Sequence, residues 1–353
     1  MDRRQALGAA LAGLTAWPAA HVHAAVPRES LVKALIARFH ADIDHAGVVS
    51  VEVPGYGAVT RVADPEVAGE AHLDATSRFA LGSISKWLTT VAVLRVVDAD
   101  MLALDRSIST WLPALARPAG DVPLRSLLSN TSGIPDRVSA AARDDPSLRR
   151  SRASALEIAE QVAAGELIFA PGSQFDYSAF NWVLVRAILE AVERKPFAQV
   201  LSERVFRPIG ARNMGIAESG FEAVQGLAPA WRSLRPPVRK MDALPAFIAA
   251  SGTFFSTASD LIRAAHAVYG GALLSDGSRD ALSRVVVADE GYALGGRVVE
   301  IDGARWAWHT GQVGGWRAHL ACELGTARSI VVFTVVDQPQ RVLADLVATL
   351  ARS

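Results

Sequence analysis

Apolar positions recur at helical spacing over residues 31–43, then change period. Residues 48–53 and 58–62 are short runs of β-formers on either side of Pro54-Gly55-Tyr56-Gly57, which predicts a hairpin. Ser83 opens a long apolar helix running to about residue 98. From there to about residue 235 the pattern is mostly helical, broken by Pro and Gly loops. It includes a helix over 181–193, stopped before Pro196. Another helix is expected after Ser256-Thr257, where a hydroxyl suits the first turn and Asp260 its positive end. The last part changes character. Residues 296–301, 305–309, 316–324 and 329–336 alternate or cluster β-formers like adjacent antiparallel strands, and a final helix covers 340–351. Strands thus lie toward both ends and helices in the middle. The simplest folding of that order is an α+β domain over 25–353. One antiparallel sheet is built from both chain ends and flanked by helices, a helical subdomain is inserted at roughly 99–235, and a cleft lies between the two parts.

Composition narrows the function without choosing it. Lys plus Arg and Asp plus Glu number 36 each. That balance argues against nucleic acid as a partner, because a phosphate-binding surface needs clustered cations. Arg3-Arg4, an apolar run over 6–17 and Val22-His23-Ala24 form a positive region, an apolar region and a small-residue cleavage site. Residues 1–24 are therefore expected to be an export signal, with an arginine pair of twin-arginine type, and the mature protein to be periplasmic or secreted. The apolar run is shorter than the roughly 20 residues that span a bilayer, and no stable membrane span is expected. Cys322 is the only cysteine and lies in an apolar strand pattern, which predicts a core residue. The eight histidines show no metal-ligand spacing, so no metal or cofactor is expected.

Candidate chemistry begins with Ser-x-x-Lys, which occurs twice, at Ser30/Lys33 and Ser83/Lys86. Ser30 opens an amphipathic surface helix and is expected to cap it. Ser83 and Lys86 stand at the start of the long apolar helix, one turn apart on one face. A serine hydroxyl there can be activated by a neighbouring amine, and the helix N-terminus favours developing negative charge. The bland alternative is a plain helix cap beside a surface lysine. A second piece is Pro171-Gly172 followed by Tyr177 on a loop before a helix. A third, Trp308-His309-Thr310-Gly311-Gln312-Val313-Gly314-Gly315-Trp316, joins two strand patterns through glycines. Phe180, Trp316 and Trp111 are candidates for an apolar acyl pocket or for the core.

In this order the pieces resemble the serine hydrolases related to class C β-lactamases and D-alanyl-D-alanine carboxypeptidases, whose sister enzymes carry Ser-x-x-Lys, Ser-Asp-Asn and Lys-Thr-Gly. Ser83-Ile84-Ser85-Lys86, Tyr177 and His309-Thr310-Gly311 stand at the three positions. Leu127-Leu128-Ser129-Asn130-Thr131-Ser132-Gly133-Ile134-Pro135 and the stretch from Ser251 to Leu261 resemble further segments of the same family. The resemblance covers roughly residues 30–350. It implies that Ser83 attacks an acyl carbonyl while Lys86 and Tyr177 carry its proton. The oxyanion donors would be the N–H groups of Ser83 and Gln312. His309, Thr310 and Gly311 would border the substrate, with His309 partly positive near neutral pH. Asn130 and Ser132 are expected to structure their loop, and Asn181 to brace the tyrosine loop or cap its helix.

One position departs from the pattern. The family's middle motif has an asparagine two residues after the tyrosine, and here Ala179 stands there; none of the chain's three asparagines is in register. A methyl group cannot hydrogen-bond a substrate amide, and losing a bond to a charged partner costs about 1.5–3 kcal/mol. This favours an esterase over a β-lactamase or D-Ala carboxypeptidase, with a small-molecule or cell-wall-type acyl substrate. The alternative from another class is a penicillin-binding sensor that acylates without turnover.

Overall fold

A computed structural model describes residues 33, 36, 37 and 46–353, other than 56, 68, 71, 145, 146, 149, 150 and 164. The expected export segment 1–24 and Ser30 lie outside the described residues, as does most of the helix expected over 31–43, of which residues 33, 36 and 37 are helical.

Six antiparallel strands make the main sheet: β1 (Gly47–Val53), β2 (Gly57–Ala63), β8 (Arg297–Ile301), β9 (Ala304–Val313), β10 (Trp316–Glu323) and β11 (Ser329–Thr334). Their order is β2-β1-β11-β10-β9-β8, so a hairpin from near the N-terminus pairs with the last strand of the chain. The sheet is built from both chain ends, as the pattern predicted. Its period-two alternation sorts residues between two faces. Val49, Val51, Ile330 and Val332 pack with Ile36 and the C-terminal helix α10 (Gln340–Ala351). Val48, Val331, Phe333 and Leu320 face the larger core. Covering both faces explains why β11 is buried along its whole length and reads as an unbroken apolar run.

Helix α1 (Ile84–Val97) runs through that larger core, and all but two of its residues are buried. A helix apolar on every side belongs in an interior. Its two threonines are bonded to backbone: Thr89 Oγ1 donates to Ala250 O at 2.9 Å and Thr90 Oγ1 to Lys86 O at 2.9 Å. The other helices are α2 (Leu124–Leu128), α3 (Arg137–Asp144), α4 (Ala155–Val162), α5 (Phe180–Glu193), α6 (Phe197–Leu201), α7 (Ala249–Gly252), α8 (Ala258–Ala265) and α9 (Asp276–Ser283); α6, α7 and α9 pack on α1, α2, α3 and α4 on α5, and α8 on the sheet. Thr257 caps α8, accepting from the Asp260 N–H as its sequence suggested. Two small sheets complete the fold: β3 (Phe79–Ala80) with β7 (Phe254–Ser256) and β4 (Gly215–Ile216), and the hairpin of β5 (Trp231–Leu234) and β6 (Pro237–Arg239). Among the described residues no helix is long and apolar enough to cross a membrane.

Candidate active site

The N-terminus of α1 opens into a cleft lined by Ser83, Tyr177, Thr310 and Gly311. Ser83 occupies the N-cap position, yet its side chain makes no capping hydrogen bond. Its Oγ instead accepts from Lys86 Nζ at 3.1 Å. The plain-cap reading therefore fails on geometry. Lys86 is 4 % exposed and also donates to Ser251 O at 3.0 Å, which fixes the amine between the serine and the C-terminal end of α7. Its Nζ lies 4.8 Å from the centroid of the Tyr177 ring. Tyr177 is 45 % exposed and lines the cleft beside Ser83. Burial of its hydroxyl opposes ionisation. The nearby Lys86 charge and the polar groups of Ser83 and Lys86 outweigh it, so the phenol ionises below its ordinary range.

The Tyr177 loop is held from below by the 127–135 segment. Asn130 adopts a left-handed backbone, φ 55°, which an asparagine tolerates better than most residues. Its carbonyl accepts the Asp176 N–H at 2.9 Å, and its side chain accepts from the Ser178 N–H and from Asn181 Nδ2. Ser132 Oγ donates to Asn181 Oδ1 at 2.7 Å. Asn130 and Ser132 thus structure the loop as expected. Of the two roles expected for Asn181 the structure shows the brace, since the N-cap residue of α5 is Ala179 and makes no side-chain cap.

Strand β9 forms the opposite wall. The third motif was expected as a glycine-rich connection. In the structure β9 runs through His309, Thr310, Gly311 and Gln312 to Val313, and only Gly314-Gly315 turn. The reason is that every residue from Trp306 to Val313 finds a ladder partner on β10. Pairing with β8 ends at Trp308, so the β8 side of residues 310–312 is unpaired. Ladder bonds alternate sides along a strand. Counting from the Val313–Trp316 pair that closes the turn, Gly311 bonds toward β10 and Gln312 points its N–H to the open side. Two glycines let α1 approach that edge. A Cβ on Gly311 would lie 1.8 Å from Leu81 O, and one on Gly82 would lie 2.5 Å from Gln312 N. The Gln312 N–H and the N–H of Ser83, one of the donors a helix start leaves unmatched, therefore border the same space.

The expected partial charge on His309 is corrected by its surroundings. Its ring is 4 % exposed, stacks on Trp87 with centroids 4.9 Å apart, and bonds through Nε2 to the Tyr269 hydroxyl at 2.9 Å. Burial pushes its pKa down to about 3, so the imidazole is neutral at pH 7. Other expectations sort as follows. Phe180 and Trp316 are fully buried core residues, and Trp111 packs partly buried against the same core, so none lines the cleft. Cys322 is buried and its thiol is pushed up to about 12 by burial, an inert core residue.

Of four further neighbours of the site, Tyr292, Arg297 and Tyr269 gave no signal in the sequence, and Ser251 stood only at the start of a family-like stretch. Tyr292 is buried, accepts from Asn130 Nδ2 at 2.9 Å and meets the Tyr177 ring edge-on. Arg297 lies over the Tyr292 ring, pairs with Glu290 at 2.9 Å and lines the cleft beside Ser83. Ser251 offers the carbonyl that holds Lys86, and Tyr269 the hydroxyl that holds His309. Each lies 74 or more residues from the nearest of Ser83, Lys86 and Tyr177, where spacing rules do not reach.

Known proteins resemble this chain in sequence and in fold. A family profile described as Beta-lactamase matches residues 32–351. Esterase EstB from Burkholderia gladioli is 30 % identical over 189 residues, 47 % of this chain and 45 % of the esterase. Penicillin-binding protein 4 from Amycolatopsis lactamdurans is 26 % identical over 267 residues, 69 % of this chain and 68 % of its own. The chain thus spans less than half the length of the esterase it matches. A penicillin binding protein from Bacillus halodurans shares the fold with a TM-score of 0.77 at 19 % identity, over 90 % of this chain and 98 % of that one.

Proposed function

Because the chain belongs to the beta-lactamase family of serine hydrolases, we propose that it cleaves carboxylic esters through an acyl-enzyme on Ser83. The observation that carries the reading is the Ser83 hydroxyl itself. It caps no helix, accepts from the Lys86 amine, and lies in one cleft with Tyr177, whose phenol ionises below its ordinary range. Tyr177 is the base in this scheme and Lys86 the cation that favours its ionised form. Ser83 Oγ bonds to the substrate carbonyl carbon as its proton passes to Tyr177. The carbonyl oxygen takes up negative charge between the N–H groups of Ser83 and Gln312. The bond to the leaving alcohol then breaks, and Tyr177 returns the proton to the alkoxide. A water attacks the acyl-enzyme by the same proton route and releases the acid. No step uses a cofactor or a charged His309.

Esters are favoured over amides by Ala179, whose methyl group offers nothing to a substrate carboxamide. Hydrolysis of a β-lactam or a D-Ala peptide is the second reading, supported by the penicillin-binding relative that spans 68 % of its own length. Residues 1–24 are proposed as a signal that exports the protein to the periplasm or beyond; N-terminal sequencing of the protein recovered outside the cytoplasm checks this. The test of the main reading is steady-state turnover of p-nitrophenyl butyrate beside a chromogenic cephalosporin, with the protein and its Ser83→Ala variant. Ester turnover that vanishes in the variant, with slow cephalosporin cleavage, is the expected result. Fast cephalosporin cleavage would move the assignment to the second reading. A phosphonate that labels Ser83 with no turnover of either substrate would leave a binding protein.

A further inference from the structure

Beside the Lys86–Tyr177 side of the centre lies a second cavity of about 280 Å³. One wall is Val138 and Ala179; the facing wall is Leu244, Pro245 and Ile248. Two polar residues also border it, and both are already engaged. Ser139 Oγ donates to Asp136 Oδ2 at 2.8 Å, and Asp242 Oδ2 accepts the Gly314 N–H at 2.9 Å. What the cavity offers a ligand is therefore mainly hydrocarbon, with the Asp242 carboxylate at its border.

Its walls are fastened to the catalytic centre from two directions. Asp136 accepts the Ala179 N–H at 2.8 Å and the Ser139 N–H at 2.9 Å, so the Val138 wall is fixed to the loop that carries Tyr177. On the other side Ser251 Oγ donates to Ile248 O at 2.9 Å, and the carbonyl of the same Ser251 accepts Lys86 Nζ. Leu244 Cδ1 lies 3.7 Å from where a Cβ on Gly252 would stand. The Asp242–Gly314 bond ties the same segment to the turn that follows Gln312. The cavity is thus tied to the segments that hold Tyr177, Lys86 and Gln312, and is distinct from the cleft bordered by Arg297, Thr310 and Gln312. The two spaces differ in chemistry. One is lined by cationic and amide groups, the other mainly by alkyl groups.

We propose that this cavity binds the acyl chain of the substrate, and that the substrates are esters of unbranched aliphatic acids of medium length. The inference rests on the acyl-enzyme reading above and adds the identity of the acid. At the roughly 30 Å³ that a water-sized group takes in a liquid, the cavity holds on the order of nine such groups. A hexanoyl chain fits within that and an acetyl group leaves most of it empty. An asparagine at 179 would put a carboxamide into this space; alanine leaves it open.

Each methylene moved from water into such a site contributes about 0.8 kcal/mol, close to a fourfold change in an equilibrium constant. Acetyl, butyryl, hexanoyl and octanoyl p-nitrophenyl esters provide the series. With the active protein kcat/KM is expected to climb threefold to fourfold per methylene to hexanoyl and then level off. In Ala179→Phe, whose ring occupies the cavity, the hexanoyl-to-acetyl ratio falls toward one. Leu244→Asn on the facing wall lowers the same ratio, and serves alone if the first variant does not fold. The dissociation constants of the same esters for the Ser83→Ala protein, read by calorimetry, do not require turnover. Ser83-dependent turnover that is flat along the series overturns the cavity assignment and leaves the hydrolase reading standing. Absent turnover with binding that still climbs with chain length, and loses its slope in Ser83→Ala/Ala179→Phe, overturns the hydrolase reading and keeps the cavity. Binding as flat as turnover removes the proposal.

Discussion

The first turn of α1 and the third motif on β9 face each other across one cleft, and they solve opposite problems. Lys86 is a buried cation with a complete set of partners: Ser83, the Ser251 carbonyl and the Tyr177 ring. His309 is a buried base with one bonded nitrogen and no counter-charge, and burial holds it neutral. A buried charge persists only where other groups replace its water. The α1 side therefore supplies the charge of the site. The β9 side contributes backbone direction, an N–H aimed at the nucleophile from a stretch, residues 306–313, whose side chains stay uncharged.

The largest effect should come from the centre of the charged side. Ser83→Ala is expected to lower kcat/KM for p-nitrophenyl butyrate at least about 10³-fold while leaving the melting temperature within a few degrees. Retained turnover would move the nucleophile elsewhere and dissolve the comparison. Next comes Lys86→Gln. Loss of the cation is expected to cost on the order of 10²–10⁴ in kcat/KM. It also removes a cause of the lowered Tyr177 pKa, so the limb on which kcat/KM rises with pH should move to higher pH. An unmoved limb would show that Tyr177 is not the group being titrated.

The neutral side is tested by acid. His309 and His319 are both pushed down to about 3 by burial, His319 with a further contribution from His309. Unfolded histidines titrate near 6.5, so below that pH the unfolded chain binds protons that the folded one refuses. Their contribution to stability is complete above about pH 6.5 and declines as pH falls toward 3. From pH 7 to 5 the unfolding free energy should drop by about 2 kcal/mol for each, read from urea midpoints. His319→Leu should remove about half of that drop; an unchanged profile would mean the rings find charge partners. The smallest change is Tyr269→Phe. It leaves both His309 nitrogens unbonded and should cost about 1–2 kcal/mol of stability, with less than a tenfold loss in kcat/KM. A larger loss of activity than of stability would give His309 more than a structural place.

Much of this was legible without coordinates. Period-two runs at both ends and the unbroken apolar stretch after Ser83 dictate the sheet and its central helix, because burial on one or two faces leaves a periodic mark in the chain. Ser83 and Lys86 are three residues apart, and a helix converts that spacing into contact by itself. Ala179 likewise announced the lost carboxamide at the level of one letter. The charge of His309 was not legible. It depends on Trp87 and Tyr269, 222 and 40 residues away in number, closing over the ring. The same holds for Asn130 and Tyr292 beneath Tyr177, and for Leu244 and Ile248 facing Ala179 across the cavity. Local periodicity specifies elements and contacts within them. Protonation states and pocket shape follow from which elements exclude water together, and that is decided only when distant segments pack.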